Sequence, residues 1–307
     1  MHNLFSPIRL SHIRLANRLV LQAVPSGCAM PDGFVSADFA AAYLRYAQSG
    51  VGLVAIEPTY VLPPHDQLAP HVGLYADAQV PGFHQCIHAL HAAGAAVVIM
   101  LDQPLWTAQA NAAEITKIAE AFMEAAWRAR AAGADGVMLS TAGGSVFEQF
   151  VSPLRNHRAD RYGGNPIGRL QLLIDVVDGI GGWIGHQFVI GIRLNVEEFT
   201  VGGLTLQDSR TIATRLVSSG VNFIEVSADM IGGAPVARFP GWRVPLAQGI
   251  KSVVDVPVMV GGQLDEPALA DSVVRDGSAD LIAIGEQLRV QPDWPARAWA
   301  ALHKPGE

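Results

Sequence analysis

Side chains able to do chemistry stand in this chain where apolar runs end, and Asp102 is the sharpest case. It follows AVVIML directly, so desolvation there raises a carboxyl's pKa and makes it a candidate acid or base. Arg193 lies at the end of FVIGIRL, while Glu57, Tyr60, His65, Asp66, Gln103, Glu197, Glu198, Ser227, Asp229 and Glu286 close or follow other runs. The candidate catalytic set is Asp102, Arg193, Tyr60 and His65. His65, in PPHDQ, is of a kind that is more often an exposed loop residue. His84, His88 and His91 have helical spacing and read as a solvated face, so no metal triad emerges.

The stretch DGVMLSTAGGSVFEQFVSPLRNHRADRYGG, Asp135 to Gly164, reads as a buried strand running into a long loop. Its opening residues, Ser140, Thr141, Ala142, Gly143, Gly144 and Ser145, include no His, Cys, Asp, Glu, Lys or Tyr. The charges further along, Arg155, Arg158, Asp160, Arg161 and Tyr162, can pair among themselves and order the loop.

The elements that must position these residues alternate. Strands are expected at Arg18–Ala23, Gly52–Glu57, Ala96–Leu101, Gly136–Ser140, Phe188–Leu194, Phe223–Ser227, Val256–Gly262 and Leu281–Gly285, with Ala/Leu-rich helical patterns between them. Eight such units predict an α/β fold, a single (β/α)8 TIM barrel over residues 1–307 as one domain. Its chemistry then belongs to the loops after the strands. Gly261, Gly262 and Gly285 end the seventh and eighth strands, where bare backbone N–H groups suit an anion; tight turns explain the same glycines. Residues 1–17 contain IRLSHIRL, which alternates about Ser11–His12 and predicts a hairpin over the barrel bottom.

Composition excludes other classes. Half the residues are hydrophobic and 16% charged, as in strands covered on both faces, and the net charge of -7 with no Lys/Arg run offers no face to nucleic acid. Cys28 and Cys86 make neither a disulfide framework nor a zinc pattern, no leader pattern opens the chain, and no run is long enough to span a bilayer. The expectation is a cytoplasmic protein acting on a small molecule without nucleic acid or membrane partners, with a homo-oligomer left open.

The segments LFSPIRLSHIRLANRLV, GFVSADFAAAYLRYAQSGVGLVAIEPTYV, QFVSPLRNHRADRYGG, IRLNVEEFTVGGLT and VPVMVGG…GSADLIAIG resemble, in order and spacing, the Old Yellow Enzyme family of FMN-dependent oxidoreductases. The resemblance covers nearly the whole chain. It implies FMN across the barrel mouth, reduced by NADH or NADPH and reducing an activated alkene. It implies cofactor contacts from Ala23, Val24, Glu57, Met100, Arg193, Gly261, Gly262, Gly285 and Glu286, and a substrate pocket of Gln103, Trp106, Ser140, Gly143, Ser145, Phe239 and Trp242. Arg193 falls where the family places an arginine on the flavin pyrimidine; on residue type alone it could instead pair with Glu197 or Glu225.

Departures from the family accompany the match. Its substrate-anchoring His, its second His or Asn and its Tyr proton donor align with Ser140, Gly143 and Ser145. Met100 stands for a flavin-contacting Gln, and Glu286 for a phosphate-contacting Arg, with Arg289 able to reach back. Apolar groups expected near the mouth, Met100, Leu105, Trp106, Phe147, Phe239 and Trp242, suggest a small hydrophobic, unsaturated carbonyl-type substrate. Three readings compete: an FMN oxidoreductase with an altered site, a flavin-independent isomerase, lyase or cyclase, and a non-catalytic binding protein.

Overall fold

Period-two alternation of apolar residues sends one set of side chains into the barrel and the other toward the helices. A computed structural model describes residues 3–63, 70–104, 108–228 and 238–303. An antiparallel pair, Ile8–Leu10 (β1) and Ile13–Leu15 (β2), precedes the strands Leu19–Leu21 (β3), Leu53–Tyr60 (β4), Ala96–Asp102 (β5), Gly136–Ser140 (β6), Val189–Asn195 (β7), Phe223–Ser227 (β8), Val258–Val260 (β9) and Leu281–Ile284 (β10). The last eight close into a barrel of neighbouring parallel strands, with β10 returning to β3, so the expected TIM barrel is the observed fold.

The helices around it are Ala37–Gln48 (α1), Val80–Ala92 (α2), Ala112–Ala131 (α3), Val146–Val151 (α4), Pro166–Ile184 (α5), Leu206–Ser218 (α6), Val244–Lys251 (α7), Pro267–Arg275 (α8), Glu286–Val290 (α9) and Trp294–Leu302 (α10). Their apolar faces and the outward strand residues form the larger core. The inner core holds Val20, Leu53, Ala55, Val98, Met100, Met138, Val189, Phe223, Met259, Leu281 and Ala283. Leu10 and Leu15 of the hairpin join this inner cluster, 0% and 1% exposed. Gly191 belongs to the inner parity of β7 because the Phe223 ring lies 2.2 Å from where its Cβ would be.

Two expectations are corrected. The stretch after β6 is not all loop, since α4 is folded within it. β4 also runs three residues beyond Glu57, to Tyr60, which pairs with Asp102 after a register shift between Ile56 and Thr59. Pro58, with no N–H to give the ladder, sits in that irregularity, and bulges of this kind occur beside active sites.

Candidate active site

The same parity that buries Met100 and Met138 puts Gln22, Glu57, Asp102, Ser140, Arg193, Glu225, Gly261 and Gly285 at the C-terminal rim. Arg193 is fixed there on two sides. Its Nε lies 2.8 Å from Glu225 Oε2, and its Nη2 donates to the Ala23 carbonyl at 3.2 Å. Glu225, 1% exposed, also accepts from Gln22 Nε2 at 2.6 Å. Of the two partners expected for Arg193, Glu225 is the one engaged; Glu197 instead accepts from the Leu206 N–H at the start of α6, at 2.8 Å.

Asp102 is half-buried at the end of β5, and its Oδ1 accepts from the Gln103 N–H at 2.8 Å. Burial pushes its pKa up to about 7, against the opposing pull of that hydrogen bond and of Arg193, with Glu148 adding to the rise. Tyr60, 2% exposed, is raised to about 12 by burial and by the Asp102 charge, and its ring stacks on His71 at 4.5 Å. Asp102, Arg193 and Tyr60 therefore share one electrostatic neighbourhood. His65, Asp66, Leu105, Trp106 and Asp229 lie outside the described residues.

The emptied centre has a definite construction. Ser145 is the N-cap of α4, accepting from the Glu148 N–H at 3.2 Å, and its hydroxyl donates to the Ser140 carbonyl. Ser140 Oγ exchanges hydrogen bonds with the Ala142 backbone at 3.1 Å. Ser145 is 0% exposed and Ser140 3%, and both hydroxyls make hydrogen bonds within the turn. Gly143 and Gly144 are exposed at φ 71 and 84, and a Cβ on either would meet nothing within 4 Å.

Behind this turn lies Glu148, 3% exposed, which accepts from the Gly144 N–H and pairs with Arg155 at 3.2 Å. Sequence reasoning missed it, although Ser145-Val146-Phe147-Glu148 carries the S-x-x-E spacing of a helix start. The loop charges behave partly as expected. Arg158 binds Asp160 within the loop, whereas Arg155 turns to Glu148 and Arg161 to Asp175 of α5.

Other expected contacts divide. Glu57, 1% exposed, takes the Ser26 N–H at 2.6 Å and the Tyr43 hydroxyl at 3.3 Å, so its carboxylate holds the β3–α1 loop. Gln103 is 1% exposed and accepts from the Leu62 N–H, fixing the loop after β4. Met100 and Ala23 are buried floor; Val24 lies against Gly285, 3.5 Å from where its Cβ would be. Phe147 packs on Phe122 in the outer core, 4.7 Å between centroids, and is withdrawn from the mouth. Trp242 is largely buried beside Gly262, and Phe239 is 57% exposed.

At the ends of β9 and β10 a cavity of about 420 Å³ is lined by Gln22, Arg243, Gly262, Asp265, Gly285 and Glu286 among others. Its wall is tight at two glycines. Gly262 has φ 108 with Trp242 Nε1 3.2 Å from a would-be Cβ, and at Gly285 a Cβ would meet Gln22 Oε1 at 2.9 Å. Bare backbone and an arginine at the seventh and eighth barrel strands fit a phosphate group. Arg289, expected to reach back, is exposed and does not line this cavity, whereas Arg243, which sequence reasoning passed over, does. No group of three or more His, Cys, Asp or Glu able to hold a metal occurs among the described residues.

A parallel barrel with a glycine-walled cup and a half-buried arginine at its rim fits a phosphate-bearing cofactor. The family described as NADH:flavin oxidoreductase / NADH oxidase matches residues 3–109 and 102–304. An NADH oxidase of Thermoanaerobacter brockii is 32% identical, over 96% of this chain and 50% of that protein. An NADPH dehydrogenase of Geobacillus thermodenitrificans is 29% identical, over 96% of this chain and 93% of that protein. Among solved structures, a 2-naphthoyl-CoA reductase superposes with TM-score 0.91 at 19% identity, over 97% of this chain and 52% of that one. Morphinone reductase gives 0.79 at 22%, over 98% and 90%. At these identities the structures speak for the fold alone. The chain spans about half the length of the NADH oxidase and nearly all of the NADPH dehydrogenase. It belongs to the NADH:flavin oxidoreductase family of the Old Yellow Enzyme type, oxidoreductases that use FMN and take reducing equivalents from NADH or NADPH.

Among the described residues no helix is long and apolar enough to cross a membrane.

Proposed function

We propose that this protein reduces a small, hydrophobic, unsaturated carbonyl-type compound, with Asp102 serving as the acid in place of the family's His and Tyr donors. The observation that carries this reading is the state of the rim: Ser140 and Ser145 are consumed internally, while Asp102 holds a proton near neutrality beside Arg193. FMN, when bound, supplies hydride equivalents drawn from NADH or NADPH. Asp102 holds the proton that completes the reduction, and its raised pKa keeps a useful fraction protonated at neutral pH. Arg193 offers a fixed cation, partly balanced by Glu225. The redox reading gains over an isomerase, a cyclase or a non-catalytic protein from relatives named as NADH oxidase and NADPH dehydrogenase.

Because the acid must be protonated to act, kcat/KM for the organic substrate should fall as pH rises through about 7. Asp102→Asn should lose about 10²–10⁴-fold in that step, the range for a general acid, and should lose the pH dependence with it. Stopped-flow reoxidation of the reduced enzyme across pH 5 to 9 reads both. An unchanged profile in Asp102→Asn sinks the assignment.

Cyclohexenone should be a poor substrate. Each missing carbonyl donor typically costs about 10²–10³ in rate, and Ser140 and Gly143 supply neither of the two. Histidine at both positions should raise turnover, with the strained φ of 71 at Gly143 limiting the gain. Parent turnover equal to that of NADPH dehydrogenase relatives would show that other donors hold the carbonyl.

A further inference from the structure

The wall of the cup at β9 and β10 carries an imbalance of charge. Among the described residues that line it are two carboxylates, Asp265 and Glu286, and one guanidinium, Arg243. Burial and the neighbouring Glu286 charge both raise the Asp265 pKa, which places the two acids in mutual repulsion. A phosphate monoester brings a further charge of about -1.5 to -2 at neutral pH. Bare backbone alone would hold it poorly against those acids, so the position of Arg243 matters to the site.

Arg243 is built into the cup. It is the residue before α7, and the Gly241 N–H donates to the Gly262 carbonyl at 3.1 Å, tying this loop to the end of β9. Its stem lies over Gly262, with Cγ and Cδ 3.4 Å from where a Cβ would stand, so any side chain at 262 would press on it. Its guanidinium sits 4.7 Å from the centroid of the Trp242 ring. Stacking on an indole and lying along a glycine limit the rotamers of a long side chain, which lowers the entropy lost on gripping an anion.

We infer that Arg243, from the loop between β8 and α7, is the cation that grips the terminal phosphate of FMN in this chain, opposed by Asp265 and Glu286. This rests on the flavin reading above. The planar guanidinium can meet two phosphate oxygens at once while the backbone around Gly262 and Gly285 meets the others. The cation has moved from the β10 end of the cup to the β9 end, and an acid occupies the place it left.

The test compares two flavins that differ only in the phosphate. The full chain, freed of flavin, is titrated with FMN and with riboflavin, following flavin fluorescence. The parent should prefer FMN. Arg243→Met, which keeps the stem against Gly262 and Trp242 but removes the charge, should lose about ten- to hundredfold in FMN affinity, the range for a charge-assisted hydrogen bond, and leave riboflavin binding unchanged. Arg243→Lys should recover part of the preference. Glu286→Gln should tighten FMN several-fold and riboflavin not at all. Unchanged riboflavin binding shows that a variant is folded. Equal FMN affinity in Arg243→Met and parent overturns the assignment and leaves the flavin enzyme standing, as does a parent that binds both flavins alike; a parent that binds neither overturns both.

Discussion

At Arg193 a proposed cofactor role meets an observed ion pair. The family role asks for a permanent positive charge under the flavin pyrimidine, while the fold supplies Glu225, fully buried, 2.8 Å from its Nε. A buried pair adds little net stability, yet removing one partner leaves the other charge unpaired, at a cost of about 3–5 kcal/mol. Glu225→Ala should therefore cost stability of that size in urea unfolding, since Arg193 and Gln22 both lose their acceptor. A loss under 1 kcal/mol would mean that Arg193 finds another partner, with the Ala23 carbonyl the nearest at hand. In the holoenzyme the same substitution removes a negative charge next to the arginine, and reduced flavin should gain stability in proportion.

Elements decide what those residues can reach, and here α4 matters most. Strand and helix periodicity made the eight barrel strands and the long helices legible, because runs such as AVVIML and LQLLIDVV are long enough for a pattern to repeat. Six-residue α4 offers less than two turns, and its helical signal lay in the cap, Ser145 with Glu148, rather than in any periodicity. Contacts that fold distant loops together were illegible for a different reason. Nothing local in GWRVPLAQ says that Arg243 will lie on Gly262, since that follows from β8 and β9 being neighbours in the closed barrel. Asp102 could be read in advance because desolvation at a strand end is itself local. Ser145→Ala should cost about 1–2 kcal/mol, the upper part of the N-cap range, because the hydroxyl both accepts from Glu148 N–H and donates to the Ser140 carbonyl. Hydrogen exchange should show the loss concentrated in residues 140–151; protection unchanged there would assign the turn's order to Glu148 and Arg155 instead.

Across the whole molecule, chemistry and stability occupy opposite ends of one barrel. The polar rim at the C-terminal ends of the strands holds Asp102, Arg193 and the glycine-walled cup, and all of it sits on an apolar interior. At the other end Leu10 and Leu15 enter that interior from the β1–β2 hairpin, in one cluster with Leu53, Val189, Phe223 and Leu281. We propose that the hairpin closes the barrel bottom and takes no part in the reaction. Its register, Ile8 opposite Leu15 and Leu10 opposite Ile13, with Ser11 at φ 53 in the turn, points one leucine of each strand at the same cluster. Truncating a fully buried leucine forfeits its transfer free energy and leaves a cavity, about 2–5 kcal/mol. Leu15→Ala should thus lower unfolding free energy by that amount while leaving FMN affinity and the pH profile of reduction unchanged, because the layers of Val20, Val98, Met138 and Met259 separate it from the rim. Equilibrium unfolding and flavin titration of the same preparation read the two quantities. A large loss of FMN affinity in Leu15→Ala would mean that strain at the bottom is transmitted through the packed interior to the cup, and the division between the two ends would have to be abandoned.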